Sequence, residues 1–89
     1  MLSKIRLGII AELLGSEWVA FSALVRAIDT TNGNLGAHLG KLVDAGYVEE
    51  EKIFVDRRPQ SRYKLTSTGR DAFVAHVRSL EQLLGGTNS

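Results

Sequence analysis

One stretch of the sequence, TTNGNLGAHLGKLVDAG at residues 30–46, constrains the fold more than any other. Thr31 can cap a helix, because its hydroxyl can accept one of the backbone N–H groups left unpaired in a first helical turn. Gly46 ends the stretch, as a glycine just beyond a helix commonly does. Apolar residues between them recur at helical spacing: Leu35, Leu39, Leu42 and Val43. The stretch therefore predicts a helix over residues 31–45 with one face in a core.

The opposite face of this predicted helix is small and polar. Each glycine in a helix interior costs roughly 1 kcal/mol relative to alanine, so a face selected for stability alone would have a different composition. We expect it to fit closely against another molecule, and a DNA groove is the first hypothesis. The face carries Gly33, Asn34, Ala37, Gly40 and Lys41, with His38 on its flank.

Three further helices are predicted from apolar periodicity and capping residues. One covers Leu2–Leu14, and one has Ser22 as its N-cap and runs to Asp29. The last opens at Thr66-Ser67-Thr68-Gly69 with a threonine cap and ends at Gly85-Gly86. The second of these is separated from helix 31–45 only by a tight turn at Asp29-Thr30. Two short helices joined in this way are typical of a helix-turn-helix.

The remaining segments have the composition and alternation of strands. They are Glu17–Phe21, Tyr47–Val55 and Ser61–Thr66, and the last two flank a polar, proline-containing loop at Asp56–Gln60 that predicts a hairpin. The order α-β-α-α-β-β-α predicts a mainly α fold with a small β-hairpin (α+β). This is the winged helix-turn-helix, expected here over residues 1–86 with a disordered tail at 87–89.

Length and composition exclude several classes of function. Eighty-nine residues suffice for one modest core, and the absence of cysteine rules out disulfides and thiolate metal sites and favours the cytoplasm. No apolar run approaches the roughly 20 residues that span a bilayer, and the start of the chain lacks the features of a signal peptide. His38 and His76 stand alone and no phosphate-binding glycine motif is present. We expect a cytoplasmic protein that is not an enzyme and has no catalytic residues, metal or cofactor.

The charge is unevenly distributed along the chain. Residues 1–51 carry 4 basic and 7 acidic side chains, a net charge of −3, whereas residues 52–89 carry 7 basic and 3 acidic, a net charge of +4. A basic cluster in a nearly neutral protein indicates a focused electrostatic contact. Five bases lie within thirteen positions: Lys52, Arg57, Arg58, Arg62 and Lys64.

Four blocks, LGIIAELL, EWVAFSALVRAI, TTNGNLGAHLGKLVDAGYVE and RRPQSRYKLTSTGRDAF, cover nearly the whole chain. Together they resemble the small winged helix-turn-helix transcriptional regulators related to the MarR and ArsR families. The resemblance implies a homodimer that binds double-stranded DNA, with helix 31–45 as the recognition helix and the hairpin as the wing. In the family pattern the position of Gly40 is commonly basic and that of Gly36 commonly polar, so this helix is less charged than the pattern.

On the recognition helix, asparagine amides can pair with adenine edges, alanine can contact a thymine methyl, and lysine or histidine can donate to bases or phosphates. The alternative is that Asn32 and Asn34 serve only the turn and cap, and that His38 is an ordinary surface residue. The predicted DNA contacts of this helix are Thr31, Asn32, Asn34, Ala37, His38 and Lys41.

On the wing, predicted over residues 52–64, arginine side chains can reach a minor groove or flanking phosphates. The predicted contacts are Arg57, Arg58 and Arg62. An alternative is that Arg62 and Lys64 pair across the hairpin with the glutamates at 49–51. Arg57 and Arg58 lie too far out for that pairing, so the tip arginines are the main candidates.

The last helix carries a seam of apolar residues spaced 4, 3 and 4 apart, as in a coiled coil. The apolar surfaces of the first and last helices together are larger than a core of this size is expected to bury. They therefore predict a homodimer, which would place two recognition helices about one DNA turn apart. The alternative is that the last helix packs only on its own domain. The predicted interface residues are Leu2, Ile5, Ile9, Phe73, Val77, Leu80 and Leu84.

Two other functions remain open at this point. Winged helices also serve as protein-interaction modules, and some DNA-binding proteins of this size bind without sequence preference. A small-molecule effector at the dimer interface is compatible with the sequence, although no residue identifies one.

Overall fold

A computed structural model describes residues 3–85 of the chain. In chain order its elements are α1 (Lys4–Leu14), β1 (Val19–Ala20), α2 (Phe21–Ala27), α3 (Asn32–Asp44), β2 (Val48–Val55), β3 (Arg58–Leu65) and α4 (Ser67–Leu84). The predicted order and the mainly α fold with a small hairpin are confirmed. Leu2, Gly86 and the predicted tail at 87–89 lie outside the described residues.

The three strands form one antiparallel sheet in the order β1-β3-β2. β2 and β3 pair along their whole length, from Val48 opposite Leu65 to Val55 opposite Arg58. β1 covers only Tyr63 and Arg62 on the other side of β3. The far half of the hairpin therefore projects beyond the third strand, and this projecting half is the wing.

The core lies between the sheet and the helices, and α1 is at its centre, in contact with α2, α3, α4 and β3. This position uses the wide apolar surface of α1 within a single protomer. Ile9 is 0% exposed, so its predicted place at a dimer interface is wrong. The buried core residues are Ile9, Ile10, Leu13, Leu24, Leu35, Leu39, Leu42, Val48, Tyr63 and Leu65.

Hydroxyl side chains cap three of the four helices. Ser3, Thr31 and Thr66 accept from the backbone N–H groups of Arg6, Asn34 and Gly69. This confirms the predicted cap at Thr31 and shows that Thr66 is the threonine that caps the last helix. The predicted Ser22 cap of α2 is wrong, because α2 begins at Phe21 and Ala20 precedes it without a side-chain bond. Ala20 is held in the sheet opposite Arg62, so strand pairing orients the start of this helix.

The end of α3 and the start of α4 meet at a close contact that we call the α3–α4 joint (Gly46, Tyr47, Thr66 and Gly69). The Thr66 hydroxyl donates to the Gly46 carbonyl at 2.7 Å, and the Thr66 N–H donates to the Tyr47 carbonyl at 3.0 Å. Gly46 has a φ of +80°, which favours glycine. A Cβ at Gly69 would lie 2.2 Å from the Tyr47 oxygen, so glycine is required there.

Candidate nucleic-acid interface

The turn between α2 and α3 is held by side chains as well as by the backbone. The N–H of Thr30 donates to the Ile28 carbonyl at 3.0 Å, and the Thr31 hydroxyl accepts from the Asn34 N–H at 3.1 Å. The side-chain nitrogen of Asn34 donates to the Thr30 hydroxyl, also at 3.1 Å. Asn34 therefore does serve the turn, as the alternative interpretation predicted. Its exposed amide oxygen has no partner among the described residues.

The outer face of α3 is open and nearly free of bulky side chains. Leu35, Leu39 and Leu42 bury the inner face, as predicted. A Cβ added at any of the three α3 glycines would meet no atom of residues 3–85 within 4 Å, so packing among those residues does not require glycine there. The exposed residues of this face are Asn32, Gly33, Asn34, Gly36, Ala37, Gly40 and Lys41.

His38 lies at the edge of this open face and is half-buried. Its Nδ1 accepts a hydrogen bond of 3.1 Å from the Nε of Arg6 in α1. His38 is therefore tied to α1, and it is not an ordinary surface residue. The sequence contains no local signal for this pair, since the two residues are 32 positions apart.

The wing ends in a two-residue turn, Asp56-Arg57, in place of the predicted five-residue loop. Both residues have positive φ, +52° and +66°, as the tight turns that join two antiparallel strands require. Glycine or asparagine usually occupies such positions, because a Cβ in this region costs on the order of 1 kcal/mol or more. Arg57 therefore occupies the tip at some expense of stability.

Pro59 explains why the loop was predicted too long. It lies within β3, opposite Phe54, although proline usually indicates a turn. β1 covers only Arg62 and Tyr63, so the far part of β3 is an edge, where a residue without an N–H is tolerated.

Arg57 and Arg58 are exposed, and neither forms a salt bridge within residues 3–85. Arg57 is in the turn and Arg58 is the first residue of β3. Two exposed arginines without a salt-bridge partner in that range therefore lie at the end of the wing, as predicted, although only Arg57 is in the turn.

Arg62 is held within the protein, unlike the tip arginines. Its guanidinium pairs with Glu51 across the hairpin and lies 4.6 Å from the centre of the Trp18 ring. Lys64 lies 5.5 Å from the same ring and pairs with Glu17 at 3.7 Å. The alternative prediction of cross-hairpin pairing is thus correct for Arg62 with Glu51 and wrong for Lys64. Arg62 braces the root of the wing and is not a free base beside its tip.

Tyr63 provides a second brace on the other side of the sheet. Its hydroxyl donates to the carboxylate of Glu50 at 3.1 Å, and its ring is buried in the core. Burial, and secondarily the hydrogen bond and negative charge of Glu50, raise the pKa of Tyr63 to about 12. The root of the wing is therefore braced by side-chain contacts on both faces, whereas the two tip arginines have no salt-bridge partner among the described residues.

The predicted dimer seam leaves the core partway along α4. Phe73 and Val77 are half-buried, but every described residue of α4 beyond Val77 is exposed. Leu80 and Leu84 are 43% and 83% exposed, and Leu83 beside them is 80% exposed. Ile5 of α1 is half-buried. The C-terminal half of α4 therefore presents an apolar surface that its own domain does not cover.

The described part of the chain contains neither a metal-binding cluster nor a membrane-spanning helix. No group of three or more histidine or acidic side chains in residues 3–85 is placed to hold a metal ion. None of the helices in that range combines the length and apolar character needed to cross a bilayer.

A helix-turn-helix with an open recognition face, followed by an arginine-tipped hairpin, defines the class of winged helix-turn-helix proteins. Over residues 5–84 the sequence matches the family of winged helix DNA-binding domains. The chain belongs to this family. Its described elements account for the whole match, from α1 to the end of α4.

Individual relatives agree with this assignment. The uncharacterized protein MJ0432 of Methanocaldococcus jannaschii is 37% identical over 81 residues, which cover 91% of this chain and 88% of that protein. The structure of a transcriptional regulator homologue from Pyrococcus horikoshii OT3 aligns with a TM-score of 0.82 and 30% identity, covering 96% of this chain and 84% of that one. A protein described as a MarR-family transcriptional regulator, from Enterococcus faecalis V583, aligns with a TM-score of 0.73 and 28% identity over 91% and 72% of the chains. The resemblance to MarR-related winged helix regulators is thereby confirmed.

Proposed function

We propose that the protein is a homodimeric transcriptional regulator that binds specific sequences of double-stranded DNA. α3 enters the major groove, and Arg57 and Arg58 contact the adjacent minor groove or the backbone. The observation that carries the proposal is the pairing of an open, bulk-free recognition face with a wing tip whose two arginines have no partner within residues 3–85. A helix of this shape fits the major groove, and free arginines supply the attraction to phosphate.

Selection of bound sequences from a random duplex pool tests the proposal directly. We expect a symmetric pair of half-sites about one helical turn apart, because a two-fold dimer imposes its symmetry on the DNA. Binding should weaken steeply with salt, since each phosphate contact contributes about 0.9 to the log–log slope. A protein that binds no duplex at low salt, or whose affinity ignores salt, would be an interaction module instead.

Two alanine substitutions separate a sequence-specific regulator from a general DNA binder. Arg57→Ala should lower the affinity for all sequences by a similar factor and reduce the salt slope by about 1. Asn34→Ala should change the selected sequence, with a cost of about 1–3 kcal/mol at one position of each half-site. A general binder would show no change of sequence preference with either variant.

The proposed dimer rests on the uncovered apolar surface of α4. Leu80, Leu83 and Leu84 would be buried against the second copy, together with the half-buried Phe73 and Val77. Burial of apolar area contributes about 25 cal/mol per Å², so covering this surface with a second copy favours association.

Sedimentation at micromolar concentration tests the dimer. Leu80→Lys should dissociate it, because a charge would be buried in the seam. Gln82→Lys is the matched control, since it adds the same charge to an exposed position on the opposite side of the helix. A monomeric wild type would refute the dimer, and a dimer that survives Leu80→Lys would refute this seam.

A further inference from the structure

The contact between Arg6 and His38 determines which nitrogen of the imidazole carries the proton. Arg6 Nε and His38 Nδ1 are 3.1 Å apart. The Nε of an arginine always bears a hydrogen and cannot accept, so Arg6 is the donor. Nδ1 can accept only if it has no proton of its own. The ring is therefore the neutral tautomer with its proton on Nε2.

The other ring nitrogen, Nε2, is open to the surroundings. Across the described part of the chain, no buried side-chain nitrogen or oxygen lacks a hydrogen-bond partner. Nε2 makes no hydrogen bond to another residue of that part, so it retains access to solvent. His38 follows exposed Ala37 and precedes exposed Lys41 by one helical turn. The free N–H donor is therefore at the border of the open face of α3.

We infer that Arg6 is a positioning residue that holds His38 as a fixed outward donor, and that the Nε2–H of His38 contacts a hydrogen-bond acceptor in the bound DNA. The DNA half of this inference rests on the proposed function. In the major groove the acceptors are O6 and N7 of guanine, N7 of adenine and O4 of thymine, and phosphate oxygens offer the same chemistry. Cytosine presents a donor there and is excluded as the direct partner.

A fixed tautomer is what gives this contact its selectivity. A histidine free to exchange its proton between the two nitrogens, or to turn its ring over, can donate or accept, and it would tolerate base edges of either kind. With Nδ1 occupied by Arg6, only the donor remains available. α1 thus contributes to base discrimination through a side chain that does not itself touch the base.

Nitrogen-15 NMR of the free protein tests the tautomer without any DNA. In alkaline buffer, long-range proton–nitrogen correlations of the ring should show a protonated Nε2 and an unprotonated Nδ1 for His38. The variant His76→Gln assigns the signals, because His38 is then the only histidine. In Arg6→Met the two nitrogen shifts should move toward each other as both tautomers become populated. A proton on Nδ1 in the wild type, or ring signals unchanged by Arg6→Met, would overturn the inference.

Selection from a duplex pool tests the DNA contact. His38→Ala should lower discrimination at one base position per half-site by about 10-fold, within the usual worth of a base contact. Arg6→Met should lower it about 3-fold at the same position, and the double variant should be no worse than His38→Ala alone, because the two residues act as a unit. Unfolding curves confirm that each variant is folded.

Arg6→Lys separates positioning from simple charge. Lysine retains the positive charge but has no Nε–H in the arginine position, so it should lose discrimination as Arg6→Met does. If Arg6→Lys instead discriminates and binds as the wild type does, or if the losses caused by the Arg6 and His38 substitutions are additive, Arg6 is a plain phosphate contact and the inference fails. Non-additive losses that are equal for all sequences support the contact and identify its acceptor as a phosphate.

A wild type that binds no duplex would refute both the proposed function and the DNA contact of His38. The NMR experiment would then test only the tautomer of His38 and its dependence on Arg6.

Discussion

On the outer face of α3, glycines stand where alanine would form a more stable helix, whereas at the wing tip an arginine stands where glycine would form a more stable turn. Gly33, Gly36 and Gly40 have open space beyond them. Arg57 has a φ of +66°. Each region thus differs from the residue choice that would be most stable for its backbone. In α3 the side chains are smaller than that choice, and at the wing tip the side chain is larger.

The opposite directions fit two different tasks at one DNA surface. A helix that enters the major groove approaches base edges more closely if its side chains are small. A hairpin beside the groove must reach across to phosphates, and a long cationic side chain does so. On this view α3 supplies discrimination by fit and a few hydrogen bonds, and the wing supplies affinity by charge.

Both regions are held by side-chain contacts where they leave the domain. α3 is held by the Thr30–Asn34 bond at its start and by Arg6 at its middle. The wing is braced by Arg62 with Glu51 on one face of the sheet and by Tyr63 with Glu50 on the other. The less stable residue choices at the surface, the glycines of α3 and Arg57, are therefore supported by hydrogen bonds and an ion pair nearer the core.

The largest expected effect is at the α3–α4 joint, which supports both regions. Gly69→Ala places a Cβ 2.2 Å from the backbone oxygen of Tyr47, and neither backbone can easily move. We expect a loss of about 3 kcal/mol in the free energy of unfolding, measured by urea denaturation. This glycine, unlike those of α3, is required by packing. A loss below about 1 kcal/mol would show that the backbone of the joint shifts to accommodate the added Cβ.

At the root of the wing, Tyr63 should make the free energy of unfolding depend on pH in the alkaline range. Burial and Glu50 raise the pKa of Tyr63 from 10.0 to about 12. As the pH rises, the phenol ionises at a lower pH in the unfolded chain than in the folded protein. The stabilisation from the protonated phenol is therefore fully present below pH 10 and is lost as the pH rises through about 12. Relative to Tyr63→Phe, the wild type should lose about 2 to 3 kcal/mol over this interval. Denaturation curves at stepped pH measure it, and parallel pH profiles for the two proteins would contradict it.

The sheltered parts of the molecule were predictable from the sequence because their signals are local. Neighbouring residues predict the apolar stripe of α3, its cap at Thr31, a threonine cap for α4 and the alternation of β3, and the structure has them all. Ile9 was misassigned because periodicity shows that a face is apolar without showing what covers it. α1 is packed on several sides, so its wide apolar surface needs no second protomer.

The site itself was less predictable, because its decisive contacts join distant residues. Arg6 with His38 and Lys64 with Glu17 depend on how helices and strands are packed, and no spacing in the sequence reports them. The two-residue wing turn was missed because its residues, Asp and Arg, lack the glycine signature of such turns. An arginine at a position with positive φ thus removes the local signal that would indicate the turn.

At the wing tip, the comparison predicts a trade between stability and binding. Arg57→Gly should stabilise the protein by about 1 kcal/mol, because it relieves the positive φ, and should weaken DNA binding by roughly 10-fold with a salt slope lower by about 1. Thermal unfolding and binding at several salt concentrations measure the two effects. Asp56→Asn is the control, since it changes the same turn but keeps Arg57, and its affinity should be unchanged or higher. Equal loss of affinity in both variants would assign the effect to turn shape.

The smallest expected effect, and the sharpest test of the comparison, is at Gly40. Gly40→Ala should raise the free energy of unfolding by about 1 kcal/mol, as alanine does within a helix, since no atom of the described part of the chain obstructs the added Cβ. Gly8→Ala in α1 is the matched control: its Cβ would make an ordinary contact with Ile28 at 3.8 Å, and it should stabilise the protein similarly. DNA affinity should fall several-fold for Gly40→Ala and stay constant for Gly8→Ala. If Gly40→Ala stabilises the helix and binds DNA as well as the wild type does, close fit does not explain the small residues of α3, and the hydrogen bonds of Asn34 and His38 would have to account for discrimination alone.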